Sequence, residues 1–376
     1  MSRSPKLLNA TATPLASIFG SGFLVIVPIL AGAVGPYSAW CIAAVCLVAY
    51  ALGSVIRHNI QCAEPVLEAE SNKLTATLDS ASDVSLSIAY IISICLYLKI
   101  LASFVLGGFG LDQPFNENLL STSIIGFILI VGLIKGLKKL EVLEQVALYL
   151  TLFIVLLILA AFAHFDFTAM SDQSFRLPAD PNHSPWKILT IVCGTLIVVQ
   201  GFETTRYLGH LYDAQTRIRA SRWSQIIATA VYIPFVALAM PLAAELHGKY
   251  NDNALVAMVT LASGLLTIPL IIAAALSQFS AAIADTIAAA DNLEELTRER
   301  LKVKTGYLLI AALATALTWA ANTHFIIALA SRAFALYYLI QCLVAISVTP
   351  QRWRQIAFAS LAVLLLFITL FAVPAA

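Results

Sequence analysis

The stretch Ile18-Phe-Gly-Ser-Gly-Phe-Leu24 interrupts the first long apolar segment of the chain. Two glycines around one serine weaken a helix and expose backbone groups that hydrocarbon cannot solvate. We therefore expect a membrane helix to unwind here, with its freed amide and carbonyl groups facing a polar cavity. The half-helix that follows would direct the positive end of its dipole at an anion in that cavity. A membrane helix broken in this way is typical of a transporter.

The composition excludes a soluble globular domain. Of the 376 residues, 60% are hydrophobic and 11% are charged, and the mean hydropathy is +0.88, which predicts an integral membrane protein in contact with the lipid bilayer. A formal net charge of +1 gives no reason to expect nucleic-acid binding. The cysteines form no CxxC pair and the histidines fall near segment ends, so we expect no metal site, no disulfide framework and no cofactor.

Eleven apolar segments come close to the length of about 20 residues that a helix needs to cross a membrane. Their predicted bounds are 12–34, 37–57, 84–108, 120–136, 142–164, 186–209, 222–246, 266–290, 304–321, 324–347 and 354–373. A shorter apolar stretch, 253–263, is predicted to form a re-entrant or interfacial helix. The connections are too short to contain a soluble domain.

Lysine and arginine are distributed unevenly between the two predicted sides of the membrane. Seventeen of the 22 fall on the side of the N-terminus, whereas only Arg176, Lys187 and Lys249 fall on the other, and Lys99 and Arg332 lie within spans. Because cytoplasmic loops carry the excess of basic residues, we expect the N-terminus in the cytoplasm and, after eleven spans, the C-terminus outside. The expected location is a bacterial inner (plasma) membrane.

A second interruption follows five spans after the first. The stretch Val198-Val-Gln-Gly-Phe-Glu-Thr-Thr-Arg206 again places a glycine and an acid in an apolar segment. Spans one and six therefore correspond and cross in opposite directions, which indicates an inverted repeat. We predict an all-α polytopic membrane protein with discontinuous helices one and six. Its units are a first repeat of five helices (1–164), a second, inverted repeat (165–347) and one additional C-terminal helix (348–376).

Several motifs together resemble the amino acid-polyamine-organocation (APC) superfamily, whose members have the LeuT-type fold. They are Gly20-Ser-Gly-Phe23 with Pro28, Gly35-Pro36, Gly136-Leu-Lys-Lys-Leu140, and Gly201-Phe-Glu203 ahead of the basic residues Arg217, Arg219 and Arg222. The resemblance implies a secondary active transporter, not an enzyme, that moves an amino acid or related amine by alternating access. The two breaks would hold the substrate at the midplane, through Gly20, Ser21, Gly22, Phe23, Gly201, Phe202, Glu203 and Thr204.

Each substrate-binding residue also has a structural interpretation. The amides around Ser21 and Gly22 would receive a substrate carboxylate, as the resemblance implies and as a helix N-terminus favours; alternatively, the small residues form a close helix-packing patch. Phe202 either stacks on the ligand or is an ordinary core or lipid-facing aromatic residue. Glu203 either meets a substrate ammonium or carries a proton; alternatively, it pairs with Arg206 three residues on.

Lys99 is the most informative charge within a predicted span. At about 1.5 Å per residue it lies about 4 to 5 Å beyond the midpoint of span three, where burial disfavours its charged form unless a carboxylate is near. Glu203 and Asp285 are the two candidate partners, with Glu203 modestly nearer in depth. We expect these three residues to couple transport to protons, with the lysine in place of a sodium ion; a static structural ion pair is the alternative.

Sodium coupling is the second interpretation of the ion site. By resemblance to the fold's usual site, carbonyl groups near Ala16 and Phe19 would combine with the hydroxyls of Ser277 and Ser280, which have helical spacing. Serines in membrane helices often bond only to the preceding turn, and a hard-cation site needs roughly six oxygens. The sequence therefore favours H⁺ over Na⁺.

Other charged residues suggest gates. Arg57 with Glu64, and Asp83, are candidates for pairs at the cytoplasmic side, and Arg332 for an outer gate or for contact with lipid headgroups. Rival functions also stay open at this point: a carrier of another small solute or of an inorganic cation, a channel, or a non-transporting sensor on the same fold.

Overall fold

The computed structural model describes residues 4–20, 22–137, 142–251 and 253–374, and these contain helices but no strand. The α-helices, numbered in chain order, are α1 (Ser4–Gly20), α2 (Ile26–Val34), α3 (Ser38–Cys62), α4 (Glu64–Glu68), α5 (Lys73–Gly107), α6 (Pro114–Lys135), α7 (Val142–Ser171), α8 (Pro185–Cys193), α9 (Ala214–Glu245), α10 (Ala254–Ala262), α11 (Thr267–Leu296), α12 (Val303–Ala320), α13 (Thr323–Val348) and α14 (Arg352–Phe371). Short 3-10 helices cover Gly35–Tyr37, Leu196–Val199, Phe202–Leu208 and Gly264–Leu266.

Nine helical segments of the described residues are long and apolar enough to cross a membrane. The sixth predicted span (α8 with the 3-10 segment Phe202–Leu208) is not among these nine. Of the first predicted span, only α2 is included, in one segment with α3 (Ile26–Glu68). Both spans are divided into pieces shorter than a membrane crossing. The predicted discontinuous helices are thus confirmed. The bounds proposed for the two repeats stay a prediction.

Helix α5 extends well beyond its predicted span. It begins at Lys73 rather than near residue 84, and the Asn72 side chain caps it by accepting hydrogen bonds from the amides of Leu74 and Thr75. Hydropathy finds only the apolar part of a helix, so its polar first turns escaped the prediction. These first turns carry Asp79 and Asp83 to the end of the bundle where α1 begins.

The centre of the bundle is formed by α5, which packs most extensively on α11 and α13. In its most apolar stretch 83% of the residues are buried, compared with 17% in α14, which packs on α13 at the periphery. We call the end of the bundle that contains the starts of α1 and α9 the N face, and the end that contains the C-terminus of α9 the far face.

Candidate functional site

The first break separates α1 from α2. Helix α1 ends at Gly20, α2 begins at Ile26, and Gly22 adopts a φ of +136°, which favours glycine. A single turn follows, in which the Val25 amide donates to the Gly22 carbonyl at 3.0 Å. Ser21, predicted to bind substrate, lies outside the described residues. The glycines therefore unwind the helix as their chemistry predicts.

The second break is longer than predicted. Helix α8 already ends at Cys193, and a 3-10 turn over Leu196–Val199 precedes Gly201. Ser331 of α13 donates to the Gly194 carbonyl at 2.6 Å and accepts from the Ile197 amide at 3.1 Å. The apolar run through 194–199 hid this early unwinding, because hydropathy does not reveal a polar group supplied by another helix.

The two breaks lie against each other. A Cβ atom on Gly201 would lie 2.6 Å from the Ile18 amide nitrogen, and one on Gly22 would lie 3.1 Å from a methyl carbon of Val198. The Tyr232 hydroxyl of α9 lies 3.0 Å from the Ile18 carbonyl oxygen and 2.9 Å from the Val198 carbonyl oxygen, and its single hydrogen is shared between these two acceptors. Sequence reasoning missed Tyr232, since a tyrosine within an apolar span gives no local signal of its partner.

A cavity of about 360 Å³ runs from the N face to the first break. We call it the central cavity, and its walls come from α1, α5, α7, α11 and the 3-10 segment Phe202–Leu208. Its lining includes six of the predicted site residues: Ala16, Phe19, Thr204, Ser277, Ser280 and Asp285. Asn9, Glu144, His210, Tyr212 and Asp291 line it as well.

Glu203 is fully buried beside the second break. Its Oε2 atom accepts hydrogen bonds from the Gly201 amide at 2.8 Å and from the Tyr338 hydroxyl at 2.6 Å. Its Oε1 atom has no hydrogen-bond partner among the described residues. The alternative of a pair with Arg206 is wrong, because the Arg206 guanidinium instead donates to Asp79 Oδ1 at 2.5 Å.

Helix α11 brings a second carboxylate to the central cavity. Asp285 is 5% exposed, and its Oδ2 atom lacks a hydrogen-bond partner within the described ranges. One helical turn or two earlier lie Ser280 and Ser277, in the lining of the same cavity as Ala16 and Phe19. Gly20 ends α1 directly against Ala281, since a Cβ there would lie 2.8 Å from the Ala281 Cβ atom. The residues of the predicted sodium site therefore line the same cavity, on two helices that contact each other at Gly20 and Ala281.

The predicted aromatic residues pack within the protein core. Phe202 stacks on Tyr338 with ring centroids 5.3 Å apart and an interplanar angle of 15°. Phe23 is buried, with its ring centroid 5.2 Å from that of Tyr232 and 4.3 Å from that of Phe235. In this conformation neither ring lines the central cavity, and Phe202 takes the core position that was its alternative interpretation.

Lys99 lies apart from both carboxylates. It is 4% exposed, and its Nζ atom donates to Asn118 Oδ1 at 2.9 Å and to the Ala321 carbonyl at 3.2 Å. No ion pair among the described residues joins it to Glu203 or Asp285, so the predicted lysine–carboxylate contact is not formed. Residue counting along a span estimates depth in the membrane, but it does not give the direction in which a helix turns its side chain.

The N face contains a different set of ion pairs from the one predicted. Glu64 binds Arg217, with both carboxylate oxygens within 2.7 Å of the guanidinium, instead of Arg57. Arg57 donates to Gln225 Oε1 at 2.6 Å. Asp83 accepts from the Tyr207 hydroxyl at 3.2 Å. The 3-10 segment Phe202–Leu208 is thereby anchored to α5, through Arg206 and Tyr207.

A larger cavity of about 760 Å³ lies on the far face. Its polar lining residues include Arg176, Asp180, His183, Glu245, His247 and His324. It reaches α2 only as far as Pro28, whereas the central cavity reaches α1 as far as Phe19, and Phe23–Val27 between them are buried. The site is therefore open towards the N face and closed towards the far face.

Comparison with known proteins gives the family. Residues 2–372 match the family described as APC superfamily transporter. A relative from Aquifex aeolicus (strain VF5), described as an uncharacterized protein, is 38% identical in an alignment that covers 97% of this chain and 91% of the relative.

Solved structures of similar shape are transporters with little sequence identity. A variant of the manganese transporter of Eremococcus coleocola has a TM-score of 0.60 at 13% identity, covering 98% of this chain and 86% of that one. A nucleobase-cation-symport-1 family transporter, Mhp1, has a TM-score of 0.57 at 13% identity, covering 97% and 91%. A Na⁺-coupled sialic acid symporter has a TM-score of 0.52 at 13% identity, covering 99% and 98%. The family match, the discontinuous first and sixth spans and the LeuT-type fold agree, and the chain belongs to the APC superfamily of membrane transporters.

Proposed function

We propose that this transporter moves an amino acid or related amine by alternating access, coupled to protons. The observation that carries the proposal is the pair of buried carboxylates, Glu203 and Asp285, each with an oxygen atom that lacks a hydrogen-bond partner among the described residues. A carboxylate away from water is costly unless it meets a cation or is protonated. Both cases suit a transporter: a carboxylate that meets a cation can bind a substrate ammonium, and a carboxylate that is protonated can carry the coupling proton.

The two basic side chains that the sequence offered as partners are engaged elsewhere. Arg206 is paired with Asp79, and Lys99 is bonded to Asn118 and Ala321. A substrate ammonium therefore supplies the missing positive charge at Glu203 and Asp285. A substrate carboxylate would be received by the amides freed at Gly22 and by the N-terminus of α2, which suits an amino acid. An amine without a carboxylate would rely on the two acidic residues alone.

The orientation of the chain sets the direction of the open cavity. We place the protein in a bacterial inner membrane with its N-terminus in the cytoplasm, because the basic residues concentrate on that side. The central cavity then opens to the cytoplasm, and the far-face cavity is an outer vestibule. On this assignment the conformation is the inward-open state of an alternating-access cycle.

Sodium coupling is the second candidate, favoured by one observation. Ser277 and Ser280 of α11 line the same cavity as Ala16 and Phe19 of α1, and the two helices contact each other. Manganese, the cargo named for one structural neighbour, has less support here, because the described residues contain no group of three His, Cys, Asp or Glu side chains positioned to hold a metal ion.

The test is uptake into liposomes of labelled amino acids and simple amines, under either an inward proton gradient without sodium or a sodium gradient at equal pH. We expect proton-driven uptake, lost by about tenfold or more in Asp285→Asn and Glu203→Gln, because the loss of a buried charge pair is worth several kcal/mol. Asp166→Asn is the matched control for Asp285→Asn. Asp166 is also a buried carboxylate in a membrane helix, with an oxygen atom that lacks a hydrogen-bond partner among the described residues, but unlike Asp285 it does not line the central cavity.

The outcomes separate the candidates. Uptake driven only by sodium would make Na⁺ the coupling ion instead of H⁺, with its site at Ser277 and Ser280. Equal uptake by wild type, Asp285→Asn and Glu203→Gln would remove the two carboxylates from the mechanism. Lys99 stays a proposed coupling residue that would act through its contacts with α6 and with the carbonyl of Ala321; full proton-driven uptake by Lys99→Met would end that role.

A further inference from the structure

Tyr232 joins the two broken helices through a single hydroxyl group. The residue lies on α9 and is fully buried. Its hydroxyl oxygen is 3.0 Å from the Ile18 carbonyl oxygen in the first broken helix and 2.9 Å from the Val198 carbonyl oxygen in the second. The three chain segments that meet at this atom are 34 to 214 residues apart in sequence.

Both carbonyls belong to backbone that has left regular helical geometry. Helix α1 ends two residues after Ile18, so the position four residues on, Gly22, lies outside the helix. Val198 lies in the 3-10 turn between α8 and Gly201. A hydrogen-bond donor from a third helix at such a point restrains the unwound backbone, and one hydrogen bond contributes about 1 kcal/mol.

The Tyr232 ring is held so that its hydroxyl keeps this position. It stacks on Phe19 with an interplanar angle of 7° and a centroid distance of 5.7 Å, and it contacts Phe23 at 5.2 Å. Two carbonyl oxygens that converge on one point would attract a bound cation. Here a neutral hydroxyl, tethered to a third helix, occupies that point instead.

We propose that Tyr232 is a positioning residue that locks the two breaks together, so that they move as one unit during transport without a cation between the Ile18 and Val198 carbonyls. The inference concerns the coupling of the two breaks and does not depend on the substrate. Only its uptake measurement rests on the proposed function.

The test is Tyr232→Phe, which removes the hydroxyl and keeps the ring that packs on Phe19 and Phe23. Hydrogen–deuterium exchange is measured by mass spectrometry on peptides that cover 17–24 and 195–202. We expect exchange in both peptides to become faster by about fivefold, the factor that corresponds to one lost hydrogen bond of about 1 kcal/mol. The uptake KM should rise by a similar factor, with a smaller change in the maximum rate.

Tyr250→Phe is the matched control. The Tyr250 hydroxyl also donates to a backbone carbonyl, that of Ala243 at 3.3 Å, but away from both breaks. This variant should leave exchange in the two peptides unchanged. Unchanged exchange in Tyr232→Phe, or faster exchange in only one of the two peptides, would overturn the proposal.

If Tyr232→Phe fails to fold, a more conservative replacement still tests the proposal. Tyr232→4-aminophenylalanine keeps an N–H donor at the same place, and it should restore folding and wild-type exchange; if it does not, the hydrogen bonds are not what Tyr232 contributes. Should the wild type transport none of the tested amines, the proposed function fails while the exchange result still decides the role of Tyr232.

Discussion

Gly201 occupies a backbone conformation that other residues adopt only with strain. Its φ is +127°, and the space where a side chain would stand is filled by Ser17 and by the Ile18 backbone. Glycine is thus required twice, for the torsion angle and for the close approach of the two breaks. The sequence showed a glycine at this point, but only the structure shows what it faces.

Gly201→Ala is expected to abolish uptake while the protein still inserts in the membrane. The strained backbone costs about 1–3 kcal/mol, and the Cβ atom forces the two breaks apart. Gly126→Ala is the control, since Gly126 lies within α6 with no other atom near its would-be Cβ. Uptake is measured in liposomes at matched protein content. Equal uptake by the two variants would show that the close approach at Gly201 is not needed.

The 3-10 segment Phe202–Leu208 depends on its ion pair with α5. The Arg206 and Asp79 side chains are 8% and 17% exposed, so water screens their attraction much less than at the surface. The pair links the second break to the first turns of α5. It is formed while the central cavity is open to the N face, so it supports the cavity wall and does not close the entrance.

Asp79→Asn should loosen this segment. We expect a loss of about 3 kcal/mol in the stability of the segment, at the low end for a broken buried pair, and faster alkylation of a cysteine introduced as Ala284→Cys on the cavity wall. Protein without this cysteine serves as the blank. The double variant Asp79→Arg with Arg206→Asp should restore part of the protection.

Glu299→Gln is the control for this experiment. The Lys302–Glu299 pair is also an ion pair, with a longer N–O distance of 3.5 Å, and its side chains are 66% and 79% exposed; such surface pairs contribute little. Its loss should leave the alkylation rate unchanged. An Asp79→Asn variant that also alkylates at the wild-type rate would show that the pair does not hold the segment.

Across the whole molecule, the end of α14 is tied to the second broken helix. Arg332 of α13 donates to the Ala372 carbonyl at 2.7 Å, and the Val373 amide donates to the Thr190 carbonyl at 3.1 Å. The Val373 carbonyl oxygen lies 2.6 Å from where a Cβ atom of Gly194 would stand. The Arg332 side chain thus bonds to the backbone that follows α14, and not to a gate partner or to lipid headgroups as the sequence had suggested. This bond attaches the end of α14 to the bundle.

Arg332→Met should lower the thermal stability of the purified protein. A hydrogen bond from a charged donor contributes about 1.5–3 kcal/mol, and its loss frees the segment beside α8. Arg176→Met is the control, because Arg176 is an exposed residue of the far face. Melting is followed in detergent by intrinsic fluorescence. Equal melting temperatures for the two variants would contradict a fastening role for Arg332.

The sequence by itself determined the membrane location, the all-helical polytopic fold, the two discontinuous helices and the family. These depend on local chemistry: twenty apolar residues span a bilayer, and adjacent glycines break a helix wherever the rest of the chain lies. Glu203 and Asp285 could also be named from the sequence, because a carboxylate in an apolar span stands out without knowledge of its neighbours.

Only the tertiary structure decided which of these residues meet. The rotation of each helix about its axis directs Lys99 towards Asn118 and away from the carboxylates. It pairs Glu64 with Arg217, where the sequence had suggested Arg57. It also brought the Tyr232 hydroxyl to both breaks. Hydropathy gives the depth of a residue in the membrane but not the direction of its side chain, and contacts between distant helices depend on that direction.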